Sequence, residues 1–403
     1  MAGRKPRYFR DGILVAGIVI KPRARIFHGH DWVYSNEVLK VFGEPQPGEV
    51  ISLKDGRDRT LGSAIYNPQS QIVARRFSRR RQDLDLEFFI RRLKAAAEVR
   101  AQWLDFTDVC RLFWSESDGI PGLIVDRYRA FLVIQTLTLA LDQRIPLIVE
   151  AIHQVFAPKA IIERNDAPVR KAEGLPLRTG ILAGEVPSKI EVELQGLKYE
   201  LDLLSGQKTG FYLDQVVNYE IVAAQARGRR VLDCFANQGA FALNCARAGA
   251  AETTAIEIST DLAESISSNA VRNGLTIQVL AGNVFDLLGE LASTNQQYDL
   301  IVLDPPSFAK SRGVLDSAWR GYKEIHIRAL QMLEPGALLA TFSCSHHVDR
   351  NMFLEVIVEA SVDAKKHLRI VRNLWQSRDH PVLPHIPETE YLKGFLLQVL
   401  PGR

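Results

Sequence analysis

Three acidic residues and one cysteine, Asp233, Glu257, Asp304 and Cys344, lie at the ends of predicted β-strands in the C-terminal half of the chain. These strands alternate with predicted helices, which is typical of a parallel sheet covered by helices on both faces. Ligands of such sheets bind outside the carboxyl ends of the strands. We therefore expect these side chains to meet at one edge of a sheet.

The first two of these strand ends have the pattern of a nucleoside site. The stretch "LDCFANQGAF" (232–241) reads Asp-x-Phe-x-x-x-Gly, formed by Asp233, Phe235 and Gly239, and differs from the G-x-G-x-x-G dinucleotide fingerprint. Gly239 permits a ligand to approach the backbone closely. Glu257 follows 18 residues later, where an acid can accept both hydroxyls of a ribose. Together these features predict a ligand that contains a nucleoside.

The third strand end, "LDPPSF" (303–308), places two prolines directly after Asp304. Prolines cannot continue a hydrogen-bonded ladder, so they predict a stiff loop that fixes the direction of the Asp304 carboxylate and of the following carbonyls. A plain strand-terminating turn is the alternative. Cys344 ends the next strand, within "ATFSCSHHVD" (340–349), and should lie beside this loop.

Cys344 has three interpretations: a small core residue, a metal ligand or a nucleophile. A metal site is disfavoured because a cysteine followed by two adjacent histidines lacks tetrahedral ligand spacing. Strand alternation would also point His346 and His347 to opposite faces, so we expect them to be loop residues or contacts to a binding partner. The position of Cys344 beside Asp304 favours the nucleophile.

The composition is that of a globular protein, and 403 residues predict two or three domains. The four cysteines (Cys110, Cys234, Cys245 and Cys344) show no Cys-x-x-Cys spacing, which argues against a disulfide framework and fits a reducing cytoplasm. The apolar run at 13–20 is short, rich in β-branched residues and predicted to be a strand rather than a signal peptide. No stretch is long enough to span a membrane.

Charge is distributed unevenly along the chain. Residues 1–81 contain 16 Lys and Arg against 7 Asp and Glu, a net charge of +9, whereas the rest of the chain carries −6. A basic module of this kind suggests a polyanionic partner, although an ordinary solvated basic surface is the alternative. The run "ARRFSRRR" (74–81) could clamp phosphates and stack on bases, or be a solvated linker.

The strand-end motifs resemble those of class I S-adenosylmethionine-dependent methyltransferases. Further stretches resemble the bacterial large-subunit ribosomal RNA cytosine-5 methyltransferases: "SGQKTGFYLDQ" (205–215), "GYKEIHIRALQ" (321–331), "DHP" (379–381) and "YLKGF" (391–395). This resemblance spans nearly the whole chain. It implies an α/β protein with a PUA-like RNA-binding domain (1–81), an α+β linker domain (82–190) and a Rossmann-like methyltransferase domain (191–403).

The resemblance further implies S-adenosylmethionine as cofactor, 23S-type ribosomal RNA as partner, no metal and no membrane. The residues it assigns to the cofactor are Asp233, Phe235, Gly239, Glu257, Asn283, Asp304, Phe211 and Gln215. Asp233 and Gly239 would border the methionine moiety, and Glu257 would hold the ribose. Asn283 stands where the family often has an acid near the adenine, and Ser307 stands where many related enzymes have a second cysteine.

For cytosine-5 methylation, the implied catalytic residues are Cys344, adding to carbon 6, and Asp304, bonding the base. One alternative is an exocyclic N-methyltransferase that uses the Asp304-Pro-Pro loop and needs no cysteine. Another is a non-catalytic RNA-binding protein that retains the fold. The sequence leaves open the target nucleotide, naked RNA or assembled particle as substrate, the base that removes the carbon-5 proton, and the oligomeric state, with a homodimer as one alternative.

Overall fold

The computed structural model describes residues 9–10, 13–14, 16–105, 107–206, 208–309 and 312–402. The chain forms two compact units. The N-terminal unit comprises Met1–Ile190, Asp202–Gly210 and Arg378–Thr389, and the C-terminal unit comprises Glu191–Leu201, Phe211–Ser377 and Glu390–Arg403. Two short segments of the second half of the chain therefore belong to the N-terminal unit.

The N-terminal unit begins with a small all-β module, as predicted. Its strands are β1 (Phe9–Arg10), β2 (Ile13–Leu14), β3 (Gly17–Ile20), β4 (Trp32–Tyr34), β5 (Val38–Phe42), β6 (Val50–Lys54), β7 (Thr60–Tyr66) and β8 (Ile72–Ser78). The main sheet has the order β4-β8-β7-β6-β3-β5 around an aliphatic core that includes Ile18 and Leu53. Of the predicted module, residues 1–8, 11, 12 and 15 lie outside the described residues.

An α+β region follows. Its elements are α1 (Leu86–Trp103), β9 (Val109–Trp114), β10 (Leu123–Tyr128), β11 (Phe131–Thr136), α2 (Leu139–Asp142), α3 (Ile145–Phe156), β12 (Ala160–Asn165) and β13 (Arg178–Gly184). The strands form a sheet of order β13-β12-β11-β10-β9. Helix α1 begins after Asp85, whose carboxylate accepts the Phe88 N–H at 2.8 Å, as expected of an N-cap. Ile65 and Phe77 of the β module pack into the core of this region.

From residue 190 onward, strands and helices alternate. They are β14 (Ile190–Leu194), β15 (Leu197–Leu201), α4 (Val216–Ala223), β16 (Arg230–Cys234), α5 (Ala240–Arg247), β17 (Glu252–Glu257), α6 (Thr260–Arg272), β18 (Gln278–Ala281), α7 (Val284–Ser293), β19 (Tyr298–Leu303), α8 (Leu315–Gln331), β20 (Leu333–Ser343), α9 (Arg350–Asp363), β21 (His367–Trp375) and β22 (Lys393–Leu400). The large sheet has the order β18-β17-β16-β19-β20-β22-β21. Strands β16 to β20 pair in parallel and β22 runs antiparallel, so the predicted α/β fold class is confirmed.

Helix α9 was not predicted from the sequence. Its valines and isoleucine favour strands locally, but Asp349 caps the helix by accepting the Met352 N–H at 2.9 Å, and Phe353 and Val356 are buried against the sheet core. Tertiary packing here overrides local propensity.

The three-domain division (1–81, 82–190 and 191–403) stays a proposal. The β module has an aliphatic core of its own, but two of its residues also pack into the core of the α+β region, and both regions belong to one compact unit. Among the described residues, no helix combines the length and the apolar composition needed to cross a bilayer.

Candidate active site

The carboxyl ends of strands β16, β19 and β20 meet at one edge of the large sheet. In the parallel register Cys234 lies opposite Leu303, and Leu303 lies opposite Thr341. Asp304 therefore leaves the sheet beside the end of β20, where Cys344 is the first residue after the strand. The strand register thus places the two residues for which the sequence predicted catalytic roles at the same edge of the sheet.

A serine cluster ties the double-proline loop to the residues around Cys344. Ser345 Oγ lies 3.0 Å from Ser307 Oγ, and the Ala309 N–H donates to it at 3.4 Å. The Tyr322 hydroxyl lies 2.9 Å from Ser343 Oγ and 3.0 Å from Ser345 Oγ. Because both serines that flank Cys344 are buried and hydrogen-bonded, the half-buried thiol between them has a fixed position.

The charges of this edge act on the buried phenol of Tyr212. Burial raises the pKa of Tyr212 far above its ordinary value, and Asp304, Asp214, Cys344 and Glu257 raise it further. Burial likewise raises the pKa of Tyr322 to about 12, with Cys344 and Asp304 adding to the effect. Both phenols are therefore neutral at neutral pH.

Asp233 is buried and incompletely satisfied. Its Oδ2 accepts the Ala242 N–H at 3.0 Å, but its Oδ1 has no hydrogen-bond partner among the described residues. Burial raises the pKa of Asp233 well above its ordinary range, and the charges of Asp304 and Glu257 raise it further. A cationic donor placed at Oδ1 would relieve this penalty.

The loop after β16 has an unusual backbone. Phe235, Asn237 and Gly239 all have positive φ angles, of 64°, 51° and 77°. Such conformations cost energy for residues other than glycine and concentrate at ligand sites. A Cβ at Gly239 would also lie 2.9 Å from the Ile266 side chain, so both the dihedral and the packing require glycine there.

Glu257 faces this loop at the end of β17 and is only 5% exposed. Its Oε2 accepts the Asn237 N–H at 2.8 Å, and its Oε1 accepts the Ser259 N–H at 3.0 Å. A carboxylate oxygen can accept a second bond, so this geometry pre-positions both oxygens while leaving acceptor capacity for a diol.

The remaining predicted cofactor residues have varied surroundings. Gln215 is buried, with its Oε1 accepting from Asn218 at 2.6 Å and its Nε2 lacking a partner in the described part of the chain. Phe211 is buried between the rings of Tyr199 and Tyr219. Phe211 therefore packs as a core residue, in addition to its predicted role in lining the cofactor pocket.

Asn283 is exposed and caps α7, its Oδ1 accepting the Phe285 N–H at 2.9 Å. The ring of Phe308, from the double-proline loop, lies 5.9 Å from the Phe285 ring and 6.5 Å from the Phe235 ring. These three rings form an apolar surface near Asn283 against which a planar base can stack.

The unsatisfied groups fit the methionine moiety of S-adenosylmethionine. That moiety presents an ammonium, which donates, and a carboxylate, which accepts. Asp233 Oδ1 is a buried acceptor and Gln215 Nε2 a buried donor, each still without a partner among the described residues. The chemistry of the available side chains therefore matches the predicted cofactor.

His346 and His347 lie in an exposed turn after β20, as expected of loop residues. The His346 ring lies 5.8 Å from the Tyr391 ring. Within the described ranges, no group of three or more His, Cys, Asp or Glu residues could hold a metal ion.

A second candidate site is a cleft of about 550 Å³ in the N-terminal unit, which we call the basic cleft. The residues lining it are Asp31, Arg76, Phe77, Ser78, Arg79, Arg80, Arg92, Ala95, Ala96, Val99, Glu116, Ser117, Asp118, Gly119, Leu383 and His385. Two of its three acids form ion pairs, Asp31 with Arg76 and Asp118 with Arg100, both at 2.7 Å, and the third, Glu116, accepts the Trp32 indole N–H at 2.9 Å.

Three arginines of the basic cleft are not neutralised. Arg79 and Arg80 are exposed, and neither they nor Arg92 forms an ion pair within the described ranges. The Arg92 Nε is buried without a hydrogen-bond partner among those residues. Burial and the neighbouring Arg91 lower the pKa of Arg92. The cleft therefore has an excess of positive charge that a polyanion would relieve.

Sequence reasoning missed three residues of the candidate active site. Tyr322 and Ser345 organise the double-proline loop, and Lys393 is buried beside Cys344 with its ammonium bonded to the Ser345 carbonyl at 2.6 Å. A lysine at the start of an otherwise apolar strand, in "YLKGF", was the available signal.

The comparisons with known proteins agree with this architecture. A family model described as S-adenosylmethionine-dependent methyltransferase matches residues 178–397, and a PUA-like domain model matches residues 18–79. A solved structure described as a methyltransferase in complex with SAH superposes with a TM-score of 0.83 at 22% identity, covering 95% of this chain and 100% of that one. Fold and site together define a class I S-adenosylmethionine-dependent methyltransferase.

Two curated relatives narrow the assignment, both named ribosomal RNA large subunit methyltransferase I. The protein from Erwinia tasmaniensis is 36% identical over 95% of this chain and 99% of its own length. That from Vibrio cholerae is 38% identical over 92% of this chain and 96% of its own length. The chain belongs to this family of methyltransferases.

Proposed function

We propose that the protein methylates carbon 5 of a cytosine in large-subunit ribosomal RNA, with Cys344 as the covalent nucleophile. The observation that carries the proposal is the fixed position of Cys344 beside the Asp304 loop, through Ser345 and Ser307. The names of the relatives support ribosomal RNA as the substrate. None of the four cysteines forms a disulfide, which supports a reducing cytoplasm as the compartment.

Carbon 5 of cytosine is a weak nucleophile and needs temporary activation. Addition of the Cys344 thiolate to carbon 6 shifts the electron pair of the 5,6 double bond, so that carbon 5 becomes enamine-like. Asp304 accepts a hydrogen bond from the amine of the base and, in its protonated form, donates its O–H to ring nitrogen 3, which stabilises the negative charge that develops there. S-adenosylmethionine, when bound, supplies an electrophilic methyl group on a sulfonium. A base then removes the carbon-5 proton, the double bond re-forms and Cys344 leaves as thiolate.

The test uses RNA that carries 5-fluorocytosine at the target position. Fluorine cannot leave as a proton does, so the adduct should persist after methylation. The wild-type protein should migrate as a covalent protein–RNA band under denaturing conditions, and Cys344→Ala should give neither the band nor methyl transfer. Cys234→Ala is the matched control, since that buried cysteine lies outside the proposed chemistry, and it should retain both.

Each contrary result has a definite meaning. A strong band from Cys344→Ala would place the nucleophile elsewhere. Methyl transfer to an exocyclic amine without any band would favour the N-methyltransferase. Absence of all transfer to ribosomal RNA would favour a binding protein that retains the fold.

We also propose that the basic cleft binds RNA phosphates. Replacing Arg79 and Arg80 by alanine should weaken RNA binding and reduce the slope of log affinity against log salt by about 1.5, at roughly 0.7–0.9 per phosphate contact. The control replaces Arg23 and Arg57, two exposed arginines of the same β module outside the cleft lining, and removes equal charge. Equal slopes for the two double variants would assign the effect to net charge alone.

A homodimer stays a prediction, which sedimentation analysis would test.

A further inference from the structure

Lys393 occupies a defined place next to the proposed nucleophile. It is the first residue of β22 and pairs with Ser343 of β20 in the antiparallel register. Cys344 directly follows Ser343. The backbone ladder therefore fixes the lysine and the cysteine on neighbouring strands at the same edge of the sheet.

The environment of the Lys393 ammonium is unusual for a lysine. Lys393 is only 6% exposed. Its Nζ donates to the carbonyls of Ser345 at 2.6 Å and of Tyr391 at 3.0 Å. These carbonyls accept two of its three hydrogens but carry no net charge. Among the described residues it forms no ion pair with a carboxylate, and a buried ammonium without a counter-charge is costly.

The titratable groups that face Lys393 come from several elements. Burial lowers the pKa of Lys393 to about 8, and Cys344 opposes this effect more than any other neighbour. Glu390 and Asp349 also oppose it, while Arg350 reinforces it. When ionised, the Cys344 sulfur therefore favours the protonated form of Lys393 more strongly than either carboxylate does.

Cys344 interacts with further groups besides Lys393. Asp304 follows the neighbouring strand at the same edge of the sheet, and Tyr212 and Tyr322 are buried phenols that interact electrostatically with both Asp304 and Cys344. A thiol has an ordinary pKa of about 8.5 and needs a nearby cation or base to form a thiolate at neutral pH. Lys393 is the buried cation in that position.

We infer that Lys393 is a positioning residue for Cys344: its ammonium favours the ionised thiolate, and its bond to the Ser345 carbonyl holds the backbone next to the sulfur. The inference rests on the proposed function, because the thiolate is the group that would add to carbon 6. The thiol proton passes to solvent and Lys393 keeps its own, so no bond to the lysine forms or breaks.

The experiment measures alkylation of Cys344 by iodoacetamide as a function of pH, in the full-length protein without RNA or cofactor, with the modified peptide quantified by mass spectrometry. The other three cysteines are buried. Lys393→Gln retains a donor for the two carbonyls but removes the charge. It should move the midpoint of the profile upward by about one pH unit, which is a tenfold loss of thiolate below both midpoints. Lys393→Arg should restore most of the wild-type midpoint.

Lys366→Met is the matched control. Lys366 is a half-buried lysine of the C-terminal unit that, like Lys393, donates to a backbone carbonyl, that of Leu333, at 2.7 Å, but it also pairs with Glu334 at 3.8 Å. Its replacement should leave the midpoint unchanged. Folding of each variant is checked by its affinity for S-adenosylmethionine.

An unchanged midpoint in folded Lys393→Gln overturns the inference, as does an equal shift in Lys366→Met. If Lys393→Gln fails to fold, Lys393→Arg decides the question: a midpoint near the wild-type value supports the inference, and one shifted upward by a unit overturns it. The proposed function fails separately. A shifted midpoint without any 5-fluorocytosine adduct would retain the lysine–cysteine pair and reject the cytosine-5 reaction.

Discussion

In the N-terminal unit, the buried arginines form short ion pairs with acidic side chains. In the C-terminal unit, by contrast, some buried polar groups at the strand ends lack hydrogen-bond partners among the described residues. Arg111 forms two bonds with Asp126, at 2.8 and 2.9 Å, and Arg100 pairs with Asp118 at 2.7 Å. At the candidate active site, Asp233 Oδ1 and Gln215 Nε2 lack partners among the described residues. The buried ion pairs compensate their charges within the fold, whereas we propose that Asp233 Oδ1 and Gln215 Nε2 are left for a ligand.

The largest effect should come from breaking the compensated network. Asp126→Ala leaves the buried Arg111 guanidinium without its carboxylate and removes the acceptor of the Thr209 hydroxyl. We expect a loss of about 3–5 kcal/mol in the free energy of unfolding, measured by urea titration of the circular dichroism signal. The half-exposed pair of Glu200 and Arg272 is the control, and Glu200→Ala should cost less than about 1 kcal/mol. Similar losses for both variants would contradict the comparison.

The next effect concerns a buried histidine whose two ring nitrogens both form hydrogen bonds when the ring is neutral. His326 Nδ1 lies 2.6 Å from the Tyr322 carbonyl, so it must donate, and Nε2 accepts from the Thr341 hydroxyl at 2.8 Å. Burial lowers the pKa of His326 from 6.5 to about 4. Between these values the unfolded chain binds a proton that the folded chain does not.

The contribution of neutral His326 to the free energy of unfolding should therefore be fully present above pH 6.5 and decrease by about 3 kcal/mol as the pH falls toward 4. Hydrogen exchange of the β20 amides measures this local free energy of opening. His326→Gln should flatten the profile in that window. A wild-type profile that rises on acidification would contradict the sign.

A smaller effect is expected in cofactor binding. Glu257→Ala removes two charge-assisted acceptors, each worth about 1.5–3 kcal/mol, and calorimetry should show S-adenosylmethionine binding weakened at least about tenfold. Glu257→Gln, which keeps one acceptor oxygen, should lose less. Unchanged affinity in a folded Glu257→Ala protein would remove this residue from the site.

The smallest effect has the opposite sign. Asp233→Asn removes an ionisable group whose pKa is raised by burial, so the cofactor-free protein should gain up to about 1 kcal/mol in stability while its affinity for S-adenosylmethionine falls. Thermal unfolding with and without the cofactor measures both. A destabilised free protein would show that Asp233 serves the fold rather than the ligand.

The sequence was sufficient to predict the parallel sheet and the position of Cys344 beside the Asp304 loop, because each depends on local periodicity and on strand ends. It could not predict the placement of segment 378–389 in the N-terminal unit. That placement depends on Asp379, whose carboxylate accepts the Arg111 N–H at 2.8 Å from 268 positions away in the chain. Pairings at such separation leave no local pattern. Lys393 did leave a local signal, a lysine in an apolar strand, but its bond to the Ser345 carbonyl spans 48 positions and could not be predicted from the sequence.

The return of segments 202–210 and 378–389 to the N-terminal unit has a consequence for biosynthesis. Domains ordinarily fold in order as the chain leaves the ribosome, at about 5–20 residues per second. This unit cannot be completed in that order, because Arg100 and Arg111 acquire their bonds to Asp379 only when nearly the whole chain has been made. Roughly the second half of translation, about 10–40 seconds at those rates, passes with an N-terminal half whose buried arginines still lack part of their bonding. Chaperones and proteases would act on the nascent protein during that interval.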